Sequence, residues 1–87
     1  KAVSNERKHG VSFEEAQSVF FDEQGLFFED PQPLQEQERF VLLGLSGRLR
    51  TLIVCHCYRQ ADAVIRLISA RKANSDERHQ YDDRRMR

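Results

Sequence analysis

Three strand-like runs crowd the second half of this 87-residue chain, and the links between them are very short. The first spans 38–46, the second 49–58 and the third 63–71. Ser46-Gly47-Arg48 reads as a tight turn between the first two, and Arg59-Gln60-Ala61-Asp62 as the turn into the third. A parallel crossover needs about a dozen residues or more, so links this short permit only hairpins. The predicted core of the fold is therefore an antiparallel meander. Leu26-Phe27-Phe28, after Gly25 and closed by Glu29-Asp30-Pro31, is expected to add a further strand, with 31–37 as a polar loop.

The flanks read as helices. Lys1 to His9 is polar and helix-tolerant, and Gly10 suits the position just past a helix end. Ser12 with Glu15 three residues on forms a capping box for a second helix. Phe13, Ala16, Val19 and Phe20 recur on that helix at the spacing of a buried stripe. Asn74 with Glu77 repeats the capping pattern before a C-terminal helix from about Ser75. The expected class is α+β: N-terminal helices and one C-terminal helix packed on an antiparallel sheet, in a single domain over 1–87.

The third strand run, Val64 to Ala73, is the least ordinary. It is β-branched and aliphatic, yet contains Arg66 and Arg71, with Lys72 beyond. Strict alternation would put Arg66 with Val64, Ile68 and Ala70, and Arg71 with Ile65, Leu67 and Ser69, so the two guanidinium groups would leave opposite faces. A charge in such a strand is costly unless paired or turned toward a site. Either Arg66 pairs with an acid such as Glu38 or Glu29, or the arginines grip phosphate.

Net charge is zero, but it divides unevenly. Residues 1–38 hold three Lys/Arg against nine Asp/Glu, and residues 39–87 hold eleven against five. The basic half suits nucleic acid or an acidic partner, unless the halves simply neutralise each other in the fold. No run approaches the roughly 20 apolar residues of a membrane helix. Cys55 and Cys57 share one strand face and are expected to be free thiols, which suits a reducing, cytoplasmic setting.

Cys55-His56-Cys57 invites a metal reading, but a structural zinc needs about four ligands and no second pair stands at a usable spacing, so neither metal nor cofactor is expected. Nor is there a glycine-rich phosphate loop. His56 shares a strand face with Arg50, Leu52, Val54 and Tyr58; it is either a packed strand histidine or an acid–base group. Tyr58 could stack on a base. Arg48, Arg50, Arg59 and Lys72 complete the basic residues expected to touch nucleic acid, although Arg59 could merely decorate its turn.

Several segments together resemble a known family. They are Lys8-His9-Gly10-Val11-Ser12-Phe13-Glu14-Glu15-Ala16, then Glu38-Arg39-Phe40, Gly44, Gly47-Arg48, Ile65-Arg66, Ile68-Ser69-Ala70-Arg71 and Glu77-Arg78. In this order, over nearly the whole chain, they resemble the BrnT toxins of type II toxin–antitoxin systems. The resemblance implies a RelE-like ribonuclease fold and RNA cleavage that arrests translation. It implies neutralisation by a BrnA-type ribbon-helix-helix antitoxin, in a complex of two toxins and two antitoxins, with operator DNA bound only through the antitoxin. It also brings Lys8 and His9 into the candidate active site beside Arg66, Arg71 and His56. Family members usually open with a short strand ending in Trp-Asp; this chain starts at Lys1 and has no Trp, so that strand is expected to be missing and the sheet margin to be unpaired, disordered or paired with a neighbouring chain. The rival expectation is a non-catalytic module that holds RNA or an acidic protein on the same basic sheet.

Overall fold

The computed structural model describes residues 2–30, 38–61 and 63–86. The polar loop expected at 31–37 lies outside them. The order is α1 (Ala2–His9), α2 (Phe13–Ser18) running into a 3-10 turn (Val19–Phe21), β1 (Leu26–Glu29), β2 (Phe40–Leu45), β3 (Thr51–Arg59), β4 (Val64–Lys72) and α3 (Ser75–Arg85). The four strands form one sheet in the order β1-β2-β3-β4, with every neighbouring pair antiparallel. The α+β class and the meander agree with the sequence reading.

Local signals account for the element ends. Gly10 has φ +70, the left-handed geometry glycine adopts at least cost, and ends α1. The Ser12 hydroxyl accepts from the Glu15 N–H at 3.1 Å. The reciprocal half of that capping box is absent, because the Glu15 carboxylate is used elsewhere. At α3 both halves are present: Asn74 accepts from the Glu77 N–H, and Glu77 accepts from the Asn74 N–H. The β2–β3 link is longer than the three-residue turn expected. Leu45 pairs with Thr51, so residues 46–50 make the connection, with Leu49 at φ 62.

The sheet has two unlike faces. On one, Leu42, Leu52, Val54 and Ala70 meet Val11, Ala16 and Val19 from the N-terminal segment, with Phe20 and Leu67 packed at the margin. Gly44 permits the close approach, since a Cβ there would stand 2.8 Å from a Val19 methyl. On the other, Leu43 packs with Ala73 and Tyr81 from α3, beside Leu26, Leu45 and Ile53. That helix covers one end of its face.

Long-range polar contacts fix the helices. Buried Asn5 of α1 accepts from the Ala70 N–H and donates to the Ala70 and Val11 carbonyls, standing in for a neighbouring strand along the outer edge of β4. Asp22 accepts from the Leu45 N–H at 2.8 Å and from the Tyr81 hydroxyl, so one carboxylate joins the 3-10 turn, β2 and α3.

Candidate RNA-binding face

β4 does not alternate throughout. Cys55 pairs with Ser69, but His56 pairs with Leu67, which leaves Ile68 as an extra residue in a bulge. Leu67 and Ala70 consequently both reach the core under the N-terminal helices, although they are three residues apart. The expectation that Arg66 and Arg71 leave opposite faces is therefore corrected. Directly opposed residues on an antiparallel pair share a face. Arg66 stands opposite Cys57 and Arg71 opposite Ile53, and Cys57 and Ile53 lie four residues apart on β3. Both guanidinium groups thus project from the α3 side.

A second correction concerns where that strand lies. The mostly apolar run suggests an inner strand, but β4 is an edge strand of the sheet, and β2 and β3 are the inner ones. An edge position lets water reach a charged side chain, which lowers the cost of the two arginines. Neither Glu29 nor Glu38 pairs with Arg66. Among the described residues Arg66 makes no ion pair, while Arg71 makes one. Arg71 Nη1 and Nη2 donate to the two Glu77 carboxylate oxygens at 2.8 and 2.9 Å, and Nη1 also reaches the Lys72 carbonyl at 3.2 Å. The Arg71 bonds hold the Glu77 carboxyl below its usual range; burial opposes them, and the Asn74 N–H adds to them.

The face is layered in rows across the strands. Leu26, Leu43, Ile53 and Arg71 form one row beside α3, and Phe28, Val41, Cys55 and Ser69 the next. Beyond them Arg66 stands opposite Cys57, with Arg59 two residues further along β3 on the same side. A groove of about 500 Å³ opens where α3 meets the first two rows, with Phe28, Val41, Ile53, Arg71, Glu77 and Gln80 among its walls. Arg39 also acts on this face. Its charge favours the Cys55 thiolate, but burial is stronger, and Asp30 also opposes ionisation, so the thiol is pushed up. Both cysteines are free.

The other candidates lie elsewhere. His56 is wholly enclosed on the helix-covered face, with ring centroids of Phe20, Phe27, Phe40 and Tyr58 between 4.9 and 6.2 Å away. Its Nδ1 lies 3.2 Å from the Val54 carbonyl oxygen and its Nε2 3.2 Å from the Tyr58 hydroxyl. Burial draws its pKa below the usual histidine value, with the Val54 bond opposing, so the ring is neutral. This is the geometry of a packed histidine, and Tyr58 packs with it against Phe40.

Arg50 was expected on that face of β3. It lies in the preceding loop instead, where its Nε and Nη2 bond Glu15 and its Nη2 also bonds the Gly10 carbonyl. Exposed Arg48 belongs to the same loop, and exposed Lys72 stands opposite Leu52 on the helix-covered side. Lys8 and His9 close α1, which packs on the edge of β4; among the described residues neither makes a hydrogen bond or ion pair with Arg66 or Arg71. The geometry thus gathers Arg59, Arg66 and Arg71 on one face and leaves Lys8, His9, Arg48, Arg50, His56, Tyr58 and Lys72 off it. Sequence reasoning did not assign Arg39 or Glu77 to this face. Their only advance signals were the Glu38-Arg39-Phe40 segment and the capping position of Glu77.

Residues 1–77 match the family model described as "Ribonuclease toxin, BrnT, of type II toxin-antitoxin system". A search among curated proteins finds no match to the chain. Among the described residues, no helix is long and apolar enough to cross a membrane.

Proposed function

The chain belongs to the BrnT family of ribonuclease toxins of type II toxin–antitoxin systems, and on that premise we propose that the α3-side face of its sheet binds and cleaves RNA without a metal ion. The observation that supports this reading is the bulge at Ile68, which turns Arg66 and Arg71 to the same side of the sheet, that of α3. RNA cleavage by the neighbouring 2′-hydroxyl needs a base, an acid and a cation to stabilise the pentavalent phosphorane. The phosphorane carries more negative charge than the phosphodiester, so a fixed guanidinium favours it over the ground state. Arg66 and Arg71 take that part, and Arg39 and Arg59 extend the positive surface for the flanking phosphates.

His56 has no place in this reading, because a buried ring held neutral in an aromatic cluster meets no substrate. The family match also favours the ribonuclease over the non-catalytic module. Cleavage of messenger RNA in the cytoplasm would arrest translation.

A type II toxin has an antitoxin partner. We assign it to the BrnA type, whose ribbon-helix-helix part dimerises and binds operator DNA, giving two toxins and two antitoxins. Light scattering on the co-expressed pair after size-exclusion chromatography tests the assembly; separate monomers would contradict it. The activity is tested by incubating the purified chain with total RNA in EDTA. Fragmentation that the antitoxin abolishes is expected. Intact RNA in EDTA with cleavage restored by magnesium would overturn the metal-independent mechanism, and intact RNA in both would overturn the activity.

A further inference from the structure

We infer that the groove between α3 and the sheet is a nucleotide subsite, in which Arg71 holds the phosphate, Phe28 faces the base and Glu77 positions Arg71. The inference rests on the RNA-binding reading above and goes further, because it specifies which part of the substrate this groove takes.

The argument starts from the donors of Arg71. A guanidinium has five N–H groups in a rigid plane. Glu77 takes one from Nη1 and one from Nη2, and the Lys72 carbonyl takes a second from Nη1. The Nε–H and the remaining Nη2–H are left, and among the described residues nothing takes them. These two lie side by side on one edge of the plane and form a two-pronged donor for a phosphate. Both Glu77 oxygens are occupied, one of them twice, since Oε1 also accepts from the Asn74 N–H. A carboxylate so engaged is a poor base and a good clamp. Its anchorage in the α3 capping box fixes the clamp to the start of that helix.

The rest of the groove suits a base. Its volume of about 500 Å³ falls within the range of small-molecule sites. Val41, Leu43 and Ile53 make an apolar floor, and Phe28, 42% exposed, offers an aromatic side chain on which a base can stack. Gln80 on the opposite wall carries both a donor and an acceptor for a base edge. An apolar wall, an aromatic ring and an unfilled guanidinium edge together match a nucleotide better than a purely apolar helix.

The test uses the whole chain and amide chemical-shift mapping with the four nucleoside 3′-monophosphates, a nucleoside and inorganic phosphate as separate probes. A nucleotide is expected to shift Phe28, Val41, Arg71 and Gln80 and to bind at least tenfold more tightly than the nucleoside or phosphate. Arg71→Ala should abolish that advantage over the nucleoside. Phe28→Ala should abolish the advantage over phosphate, and Phe28→Tyr should retain it. Glu77→Ala should weaken the nucleotide several-fold and leave the nucleoside unchanged, whereas a merely structural role would change both or neither.

Shifts outside the groove, equal binding of phosphate and nucleotide, or groove shifts only on adding the antitoxin would overturn the inference. RNA cleavage separates this failure from that of the broader reading. Loss with Arg66→Ala but normal cutting by Arg71→Ala and Phe28→Ala rejects the subsite alone. Normal cutting by all three rejects the RNA-binding face as well.

Discussion

Replacing Glu15 by alanine should be the most damaging single change to a charged residue in this fold. Its side chain is only 3% exposed and accepts from Arg50 Nε at 2.8 Å, from Arg50 Nη2, and from the Ser46 hydroxyl at 2.7 Å. These bonds tie the first turn of α2 to the β2–β3 connection. The Arg50 hydrogen bonds hold its carboxyl below the usual range against the opposing effect of burial, with Ser46 assisting.

Removing one partner of a fully buried pair costs about 3–5 kcal/mol. Arg50 is 29% exposed and can regain water, so the lower figure for hydrogen bonds to charged groups applies, about 2 kcal/mol. For a domain of this size that lowers Tm by about 8–16 °C. Thermal melts at neutral pH read the effect directly.

The sign of its pH dependence follows. A carboxyl whose folded pKa is depressed stabilises fully above its unfolded value of about 4.3, and the contribution is lost as pH falls through the folded value. The gap between wild type and variant should therefore close in acid. A Tm within 2 °C of wild type at pH 7, or a gap that widens below pH 4, would refute the reasoning. Arg50→Ala and the double variant complete the cycle, and the two losses should be strongly non-additive.

Two further outcomes follow from the packing. Gly44→Ala would press a methyl to 2.8 Å from Val19 Cγ1 and 3.2 Å from Asp22 Oδ2, so a loss of about 1–3 kcal/mol is expected in urea unfolding. His56, lowered by burial, stays neutral in the folded chain while the unfolded chain takes up a proton below about pH 6.5, so stability should fall with pH through that window. A His56→Phe chain should show a flatter stability profile between pH 5 and 7, and an unchanged slope would count against a neutral buried ring.

What the sequence disclosed was mostly local. Ser12, Asn74 and Gly10 act through backbone groups within a few residues, and short links forced the hairpins, so caps and antiparallel pairing were legible. The site was less so, because its geometry depends on one extra residue. Strict alternation sent Arg66 and Arg71 to opposite faces, and nothing in Ile65-Arg66-Leu67-Ile68-Ser69 marks the bulge that reunites them. Glu15 scored as a capping-box residue because Arg50, its actual partner, is 35 positions away. Alternation left His56 open between a packed ring and an acid–base group, because the aromatic residues enclosing it come from β1, β2, β3 and the 3-10 turn. Asp22 was overlooked because the contacts that make it a junction, with Leu45 and Tyr81, lie 23 and 59 positions away.

The central claim is that the α3-side face is the RNA-binding face, and the cleavage rate of a short RNA in EDTA by Arg66→Ala tests it most directly. Arg66 is half-buried at the sheet edge and has no ion-pair partner among the described residues, so its loss should change stability by less than about 0.5 kcal/mol. Circular dichroism and a thermal melt on the same sample verify that. The account predicts a folded protein that cuts about 10²–10³-fold more slowly, the usual cost of one transition-state donor, with partial recovery in Arg66→Lys. A folded Arg66→Ala chain that cleaves at the wild-type rate would contradict it.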